Sequence, residues 1–399
     1  MIAVRYNRIY LISIITSLTI GLMSIENTAY FLNIGVSIRP YYLTLIILSI
    51  LIGNPVKNKY YKNCYIFYGL IIFAGIFGLL FTPWTNKHNE FINPMIMLIV
   101  QLFTFYVLVN AFAKINLIIF YNSFKYIYRF IVVIPLLIFA INYSSMLGVV
   151  GGSSMGIYTG HDGVPRMVGL FADPNYFSLY LIVIISFIIY LKVKFNLILN
   201  KTDLIFIAIG IIDIFFSFSR SAIATIILFL VLLLFLKPNK VVLSSLALLI
   251  IIVVCIGLSL ENSVLDLILE RFTDTGHDGS SEERIFLLTK GLESPLSYPF
   301  GVGVGQCPNY YYSFFNIPKL AHNDFVSVLI ECGILGLLSY LLIWTQILIR
   351  VDLFGKIIIV CILIMCCTLT CYAYEPVIPL VLSFYTVFNR YEIKNFNYQ

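Results

Sequence analysis

Long apolar runs follow one another along the whole chain, most of them about the length a helix needs to cross a bilayer core. They lie near Ile9–Ile25, Tyr41–Gly53, Tyr65–Phe81, Pro94–Phe112, Tyr126–Ile141, Tyr176–Leu191, Asp203–Phe218, Ser221–Leu236, Val241–Leu260, Asn323–Ile349, Ile357–Tyr374 and Val377–Phe388. Closed β-barrels, the other way to cross a membrane, alternate every two residues instead of running continuously in Ile, Leu and Phe. The pattern predicts an all-α polytopic membrane protein, a single integral membrane domain over residues 1–399 with about twelve transmembrane helices. Two polar stretches interrupt it, 142–175 and the larger 261–321, the latter just before the last three helices.

Composition agrees. The chain is 60% hydrophobic and 11% charged, with a mean hydropathy of +0.97. A water-soluble fold of this length would need a largely apolar surface. The net charge of +6 is not a nucleic-acid footprint, because Lys and Arg are spread between helices without a basic stripe. Their placement carries topology instead. Alternating the spans from a cytoplasmic N-terminus puts seventeen of the 25 basic residues inside and leaves Arg39, Lys87, Arg166, Arg220, Arg271, Arg284, Lys290 and Lys319 outside. Both termini are then cytoplasmic, and the two polar loops face the exterior or periplasm. Arg5 and Arg8 precede an apolar run with no convincing cleavage site, so that run reads as the first anchor.

Seven of the eight cysteines fall in or beside apolar runs and read as small hydrophobes, and Cys307 stands alone in the second loop. No metal-ligand spacing is present, and no cofactor is implied.

The polar loops hold most of the candidate chemistry. In the first, Arg166 leads to Asp173-Pro174-Asn175, with Pro174 suited to the first turn of the following helix and Asp173 to its cap. In the second, Val264–Phe272 reads as an interfacial helix, and Ser280-Ser281-Glu282-Glu283 as the capped start of another, running to about Gly291. His322 stands at a membrane–water boundary, where an imidazole can exchange a proton near neutral pH; at a helix start it equally reads as an ordinary polar residue. Asn323 and Asp324 add polarity or simply cap the helix. Arg220, between two apolar runs, is either a snorkelling boundary arginine or a phosphate ligand, since its fork matches phosphate oxygens. The same pair of readings applies to Arg166 and to Arg284, which has acidic neighbours in sequence; for Arg271 the solvated salt bridge is favoured. Gly301-Val302-Gly303-Val304-Gly305 lacks the βαβ context of a nucleotide loop and reads as a turn that lets backbone approach a ligand. Asp213 and Glu331 are carboxylates inside apolar runs and so candidates for function.

In order, Arg166-x-x-Gly169-x-Phe171-x-Asp173-Pro174-Asn175, Ser219-Arg220-Ser221, Arg284, Pro299-Phe300-Gly301-x-Gly303-x-Gly305 and His322-Asn323-Asp324-Phe325 with Glu331-x-Gly333 form a series. This series resembles the bacterial O-antigen ligase/polymerase superfamily, which includes the O-antigen and capsular repeat-unit polymerases. The resemblance implies a metal-independent integral-membrane glycosyltransferase of the C type in the bacterial inner membrane, using a glycan on undecaprenyl pyrophosphate. Carried over by motif, Arg166, Arg220 and Arg284 bind and stabilise the pyrophosphate, with Arg220 and Arg284 counted with His322 as catalytic. His322 orients or deprotonates the acceptor hydroxyl. Asp173, Asn175, Asn323, Asp324 and Glu331 join Arg166 as substrate-binding residues. The implied partners are the lipid-linked glycan, membrane lipid and, as a candidate, a chain-length regulator. Polymerase and ligase share these motifs and differ in acceptor; the polymerase is the favoured expectation. The rival class is a polysaccharide transporter or flippase, which calls for midplane polar sites and internal repeats. Asp213 and Glu331 fit it slightly, and the missing repeat and one-sided loop do not.

Overall fold

The structure is a computed structural model and describes residues 2–25, 39–56, 59–82, 87–147, 149, 151–159, 164–195, 200–236, 279–373 and 375–388. In chain order its elements are α1 (Ile2–Leu22), α2 (Tyr41–Ile52), α3 (Lys59–Gly78), α4 (Lys87–Phe112), α5 (Leu117–Met146), β1 (Ser153–Ser154), β2 (Ile157–Thr159), β3 (Pro165–Met167), α6 (Pro174–Lys194), α7 (Lys201–Phe216) and α8 (Arg220–Leu236). They continue with α9 (Gly279–Glu293), α10 (Cys307–Phe315), α11 (Asp324–Leu348), α12 (Leu353–Cys366) and α13 (Val377–Phe388).

Eleven of the apolar runs form helices at or near their expected places. Val241–Leu260, the interfacial helix 264–272 and Arg271 lie outside the described residues. Among the described residues, five helical stretches are long and apolar enough to cross a membrane: Tyr61–Phe81, Ile92–Phe112, Leu117–Met146, Pro174–Lys194 and Asp324–Leu348. Others, such as Tyr41–Ile52 and Val377–Phe388, are apolar but shorter.

The bundle is built around α6, whose residues from Phe177 to Lys192 are all buried. A helix apolar on every side belongs in the interior, and α6 reads that way. It meets α13 through Phe187 and Phe384, stacked at 3.7 Å between centroids and 5° between planes. Around this pair α3 packs on α11, α1 on α5, α4 on α13 and α8 on α12. The outer faces are apolar as well: Ile50, Phe130 and Ile141 are 73%, 65% and 75% exposed. Exposed greasy side chains on several neighbouring helices suit a hydrocarbon surround and not water. At the end of α6 away from Asp173, charges pair: Lys192 with Asp203 at 3.2 Å, Arg129 with Asp203 at 3.6 Å, and Lys194 with Asp352 at 3.5 Å.

The all-α expectation is corrected in one place. Ser153–Ser154, Ile157–Thr159 and Pro165–Met167 form a three-stranded antiparallel sheet in the order β1-β2-β3, packed on the end of α5. Its strands have two or three residues each, too few for an alternation to register in the sequence. The second loop begins its described part with α9, which starts and ends close to expectation. With α10 it forms a small core of its own, including Leu287, Val302, Cys307 and Tyr311, against Val326 and Ile330 of α11.

Candidate functional site

Three loop-to-helix junctions meet at one end of the bundle. The first is the start of α6. Gly169 adopts φ 59°, and a Cβ there would lie 2.6 Å from the Phe177 ring, so only glycine lets the loop fold onto the helix. Asp173 then caps α6, its Oδ1 accepting from the Asn175 amide at 2.7 Å, with Pro174 in the first turn as expected.

The second junction is the Ser217–Ser221 turn between α7 and α8, where Phe218 takes φ 49°. Three hydrogen bonds tie it to the first. Arg166, on β3, donates from Nε to the Ser217 carbonyl at 3.0 Å. Ser178 Oγ donates to Ser217 Oγ at 2.7 Å. Ser219 Oγ donates to Asn175 Oδ1 at 2.6 Å. Arg220, the next residue, is the first of α8 and half-buried. The arginine thus begins a helix whose N-terminal dipole adds positive character of its own.

The third junction is the start of α11. His322 takes φ 51° and is half-buried. Asn323 caps the helix, its Oδ1 accepting from the Val326 amide at 3.1 Å. Burial pushes the His322 pKa below the ordinary value; the Arg284 guanidinium pushes the same way, while Asp173 and Glu283 oppose it. The histidine is therefore within electrostatic reach of α9 through Arg284 and of the α6 cap through Asp173. Glu283, an acidic neighbour of Arg284 in sequence, bonds Lys319 at 2.6 Å. A neutral, half-buried imidazole among cations can take a proton from a hydroxyl, and guanidinium groups nearby can hold an anion.

Arg166, Asp173, Asn175, Arg220, Arg284 and His322 thus gather around these junctions. Two expected ligands do not present themselves there. Asp324 is fully buried; its Oδ1 accepts from the Cys371 amide and from the Tyr372 amide at 2.8 Å, and its Oδ2 from Tyr340 Oη at 2.8 Å. Glu331 is also fully buried, its Oε1 accepting from the Cys307 amide at 3.1 Å and its Oε2 from Tyr372 Oη. Both carboxylates brace loops against α11. Asn323 is half-engaged, donating from Nδ2 to the Cys367 carbonyl at 3.0 Å.

The Gly301–Gly305 run does allow close backbone approach, but to the protein's own helices. Gly301, Gly303 and Gly305 take φ of 81°, 98° and 79°. Gly333 interrupts α11 with φ 64° and ψ −165°, which frees carbonyls for the loop. Val302 N donates to Ile330 O and Gly303 N to Glu331 O, each at 2.8 Å, and Ile334 N to Pro299 O at 3.0 Å. Asp213, in α7, is buried with no hydrogen bond to either carboxylate oxygen, one turn before Ser217.

A cavity of about 200 Å³ lies beside the first junction, lined by Leu18, Leu22, Phe130, Ile134, Leu170 and Phe171 among other apolar residues. Among the described residues no cluster of His, Cys, Asp and Glu suits a metal ion.

Residues 205–341 match the family model described as O-antigen ligase. This bears out the resemblance to the O-antigen ligase/polymerase superfamily. The match runs from α7 into α11 and takes in Arg220, Arg284, the glycine run, His322 and Glu331. It leaves out Arg166–Asn175, which the hydrogen bonds above attach to it. No curated protein and no solved structure matches the chain.

Proposed function

We propose that this protein polymerises lipid-linked oligosaccharide repeat units, transferring a glycan from undecaprenyl pyrophosphate on the outer side of the inner membrane. The observation that supports the reading is the pair of bonds joining Arg166 to Ser217 and Ser219 to Asn175, which bring the Arg220 turn to the α6 junction, beside a family match that takes in Arg220, Arg284 and His322. In this reaction the anomeric carbon–oxygen bond to pyrophosphate breaks as the acceptor hydroxyl attacks. Arg166, Arg220 and Arg284 take up the charge on the departing pyrophosphate. His322 accepts the hydroxyl proton. The apolar cavity beside Leu170 and Phe171 suits a donor that arrives through the bilayer.

Ligase activity, transfer of the finished glycan to lipid A–core, is supported equally by the family match. The test is deletion of the gene in its host, complementation with wild type, His322→Ala and Arg220→Ala, and electrophoresis of the surface glycan. Collapse of the ladder to one repeat on the core identifies the polymerase. Bare core with long chains left on the carrier lipid identifies the ligase. An unchanged ladder overturns both and restores the transporter.

A further inference from the structure

The run Ile357–Tyr374 was expected to be one apolar span, yet α12 stops at Cys366 and residues 367–373 leave the helix. Leu369, Thr370, Cys371, Tyr372 and Ala373 are all buried there. Irregular backbone inside a membrane protein persists only where its amides and carbonyls find partners. Here the partners come from both faces of the candidate site. From α11, Asn323 Nδ2 donates to Cys367 O at 3.0 Å, Asp324 accepts from the Cys371 and Tyr372 amides, and Ser327 Oγ lies 3.1 Å from Thr370 Oγ1. Glu331 accepts from Tyr372 Oη. From α6, Tyr176 Oη donates to the Thr370 carbonyl at 2.8 Å. Tyr176 follows Asn175, the acceptor for Ser219.

We propose that segment 367–372 is a positioning element, with Thr370 as the joint that holds the α6 junction and the His322 junction at a working distance. Tyr176 grips its carbonyl from one side and Ser327 its hydroxyl from the other. The inference rests on the proposed glycosyl transfer and adds residues that neither the motifs nor the matched stretch 205–341 contain. Two carboxylates buried only to support fold would be a costly choice, since apolar side chains of similar size fill an interior as well. Asp324 and Glu331, seven residues apart on one face of α11, both converge on Tyr372. The segment therefore sets where His322 stands relative to Asp173, and does not itself touch substrate.

The experiment uses full-length protein in lipid nanodiscs and, as donor, the lipid-linked saccharide that accumulates in the deletion strain. Tyr176→Phe and Thr370→Val are measured singly and together, with Tyr128→Phe as control. Tyr128 Oη makes an equivalent bond to a carbonyl, Phe206 O at 2.8 Å, between α5 and α7. The expected result is a drop in kcat of roughly tenfold for each single variant, an unchanged KM for donor, and a double variant no worse than the weaker single. Tyr128→Phe keeps its kcat while losing comparable thermal stability. Should Thr370→Val fail to accumulate, Tyr176→Phe, which removes one oxygen atom, decides alone. Wild-type kcat in Tyr176→Phe, with His322→Ala inactive, overturns the positioning role and leaves the proposed reaction standing. Full activity in His322→Ala overturns the reaction itself.

Discussion

Ser219 Oγ donates to Asn175 Oδ1 at 2.6 Å across 44 residues of sequence, and this bond joins two motifs into one site. It places Arg220, at the head of α8, beside the α6 cap formed by Asp173. The acceptor matters more than the amide, because among the described residues only Oδ1 is used. Asn175→Asp therefore keeps activity within a few-fold, while Asn175→Leu leaves the buried Ser219 hydroxyl with only the long 3.4 Å contact to Ser221 Oγ, at a cost of about 1–3 kcal/mol. Transfer rates in nanodiscs check this, and equal loss in both variants would show that the amide nitrogen is needed.

The pH dependence follows from His322. Burial and the Arg284 charge lower its pKa from the ordinary 6.5, and Asp173 and Glu283 offset part of that. The ring stays neutral to a lower pH than a free histidine, so the acid limb of kcat/KM falls below the usual histidine range. Arg284→Gln removes a cation and moves the His322 titration upward, as read by NMR of the imidazole ring. Stability carries the same sign. The folded chain holds its proton less tightly than the unfolded one, so this contribution is complete above the ordinary 6.5 and is lost as pH falls through the folded pKa. A titration that stays put in Arg284→Gln would place the guanidinium elsewhere.

The helices were legible because bilayer length and continuous Ile, Leu and Phe leave few alternatives. Arg220 and His322 were legible as polar groups at the ends of apolar runs, and Arg166 as a cation within the first polar loop. Asp324 and Glu331 were not legible in their actual role: a carboxylate in an apolar run looks alike whether it faces a ligand or the amides of Cys371 and Cys307. Nor was the break at Cys366, since Cys367–Tyr374 contains no Pro, Gly or charge to end a helix and the acceptor for the Cys371 amide lies 47 residues away in Asp324. The short sheet escaped for want of length.

Glu331 distinguishes bracing from substrate binding. In Glu331→Gln the remaining oxygen accepts from the Cys307 amide, and the amide nitrogen faces Tyr372 Oη, which must turn from donor to acceptor and gives up its bond to a carboxylate. The variant loses thermal stability by roughly 1–3 kcal/mol, and its KM for the donor glycan stays at the wild-type value. A raised KM with unchanged melting would return Glu331 to the substrate-binding residues.

Gly333 is where the glycine run acquires its meaning, and its replacement is the harshest change predicted. A Cβ at this position would stand 2.4 Å from both the Pro299 oxygen and the Phe300 carbonyl carbon, and its φ of 64° disfavours any L side chain. Neither neighbour is a flexible side-chain tip, so the clash is relieved only by pulling the 299–305 loop away from α11. That movement breaks the bonds from Val302 N, Gly303 N and Ile334 N together. Gly333→Ala is expected to cost roughly 3 kcal/mol or more, and to appear as loss of the monodisperse peak in detergent gel filtration. Gly69→Ala supplies the contrast: Gly69 lies within α3 with nothing inside 4 Å of an added Cβ, and a helical alanine there is neutral or mildly stabilising. If Gly333→Ala folded and melted like wild type, the loop would not depend on the α11 break, and the shared backbone pairing could not be what holds residues 299–305 in place.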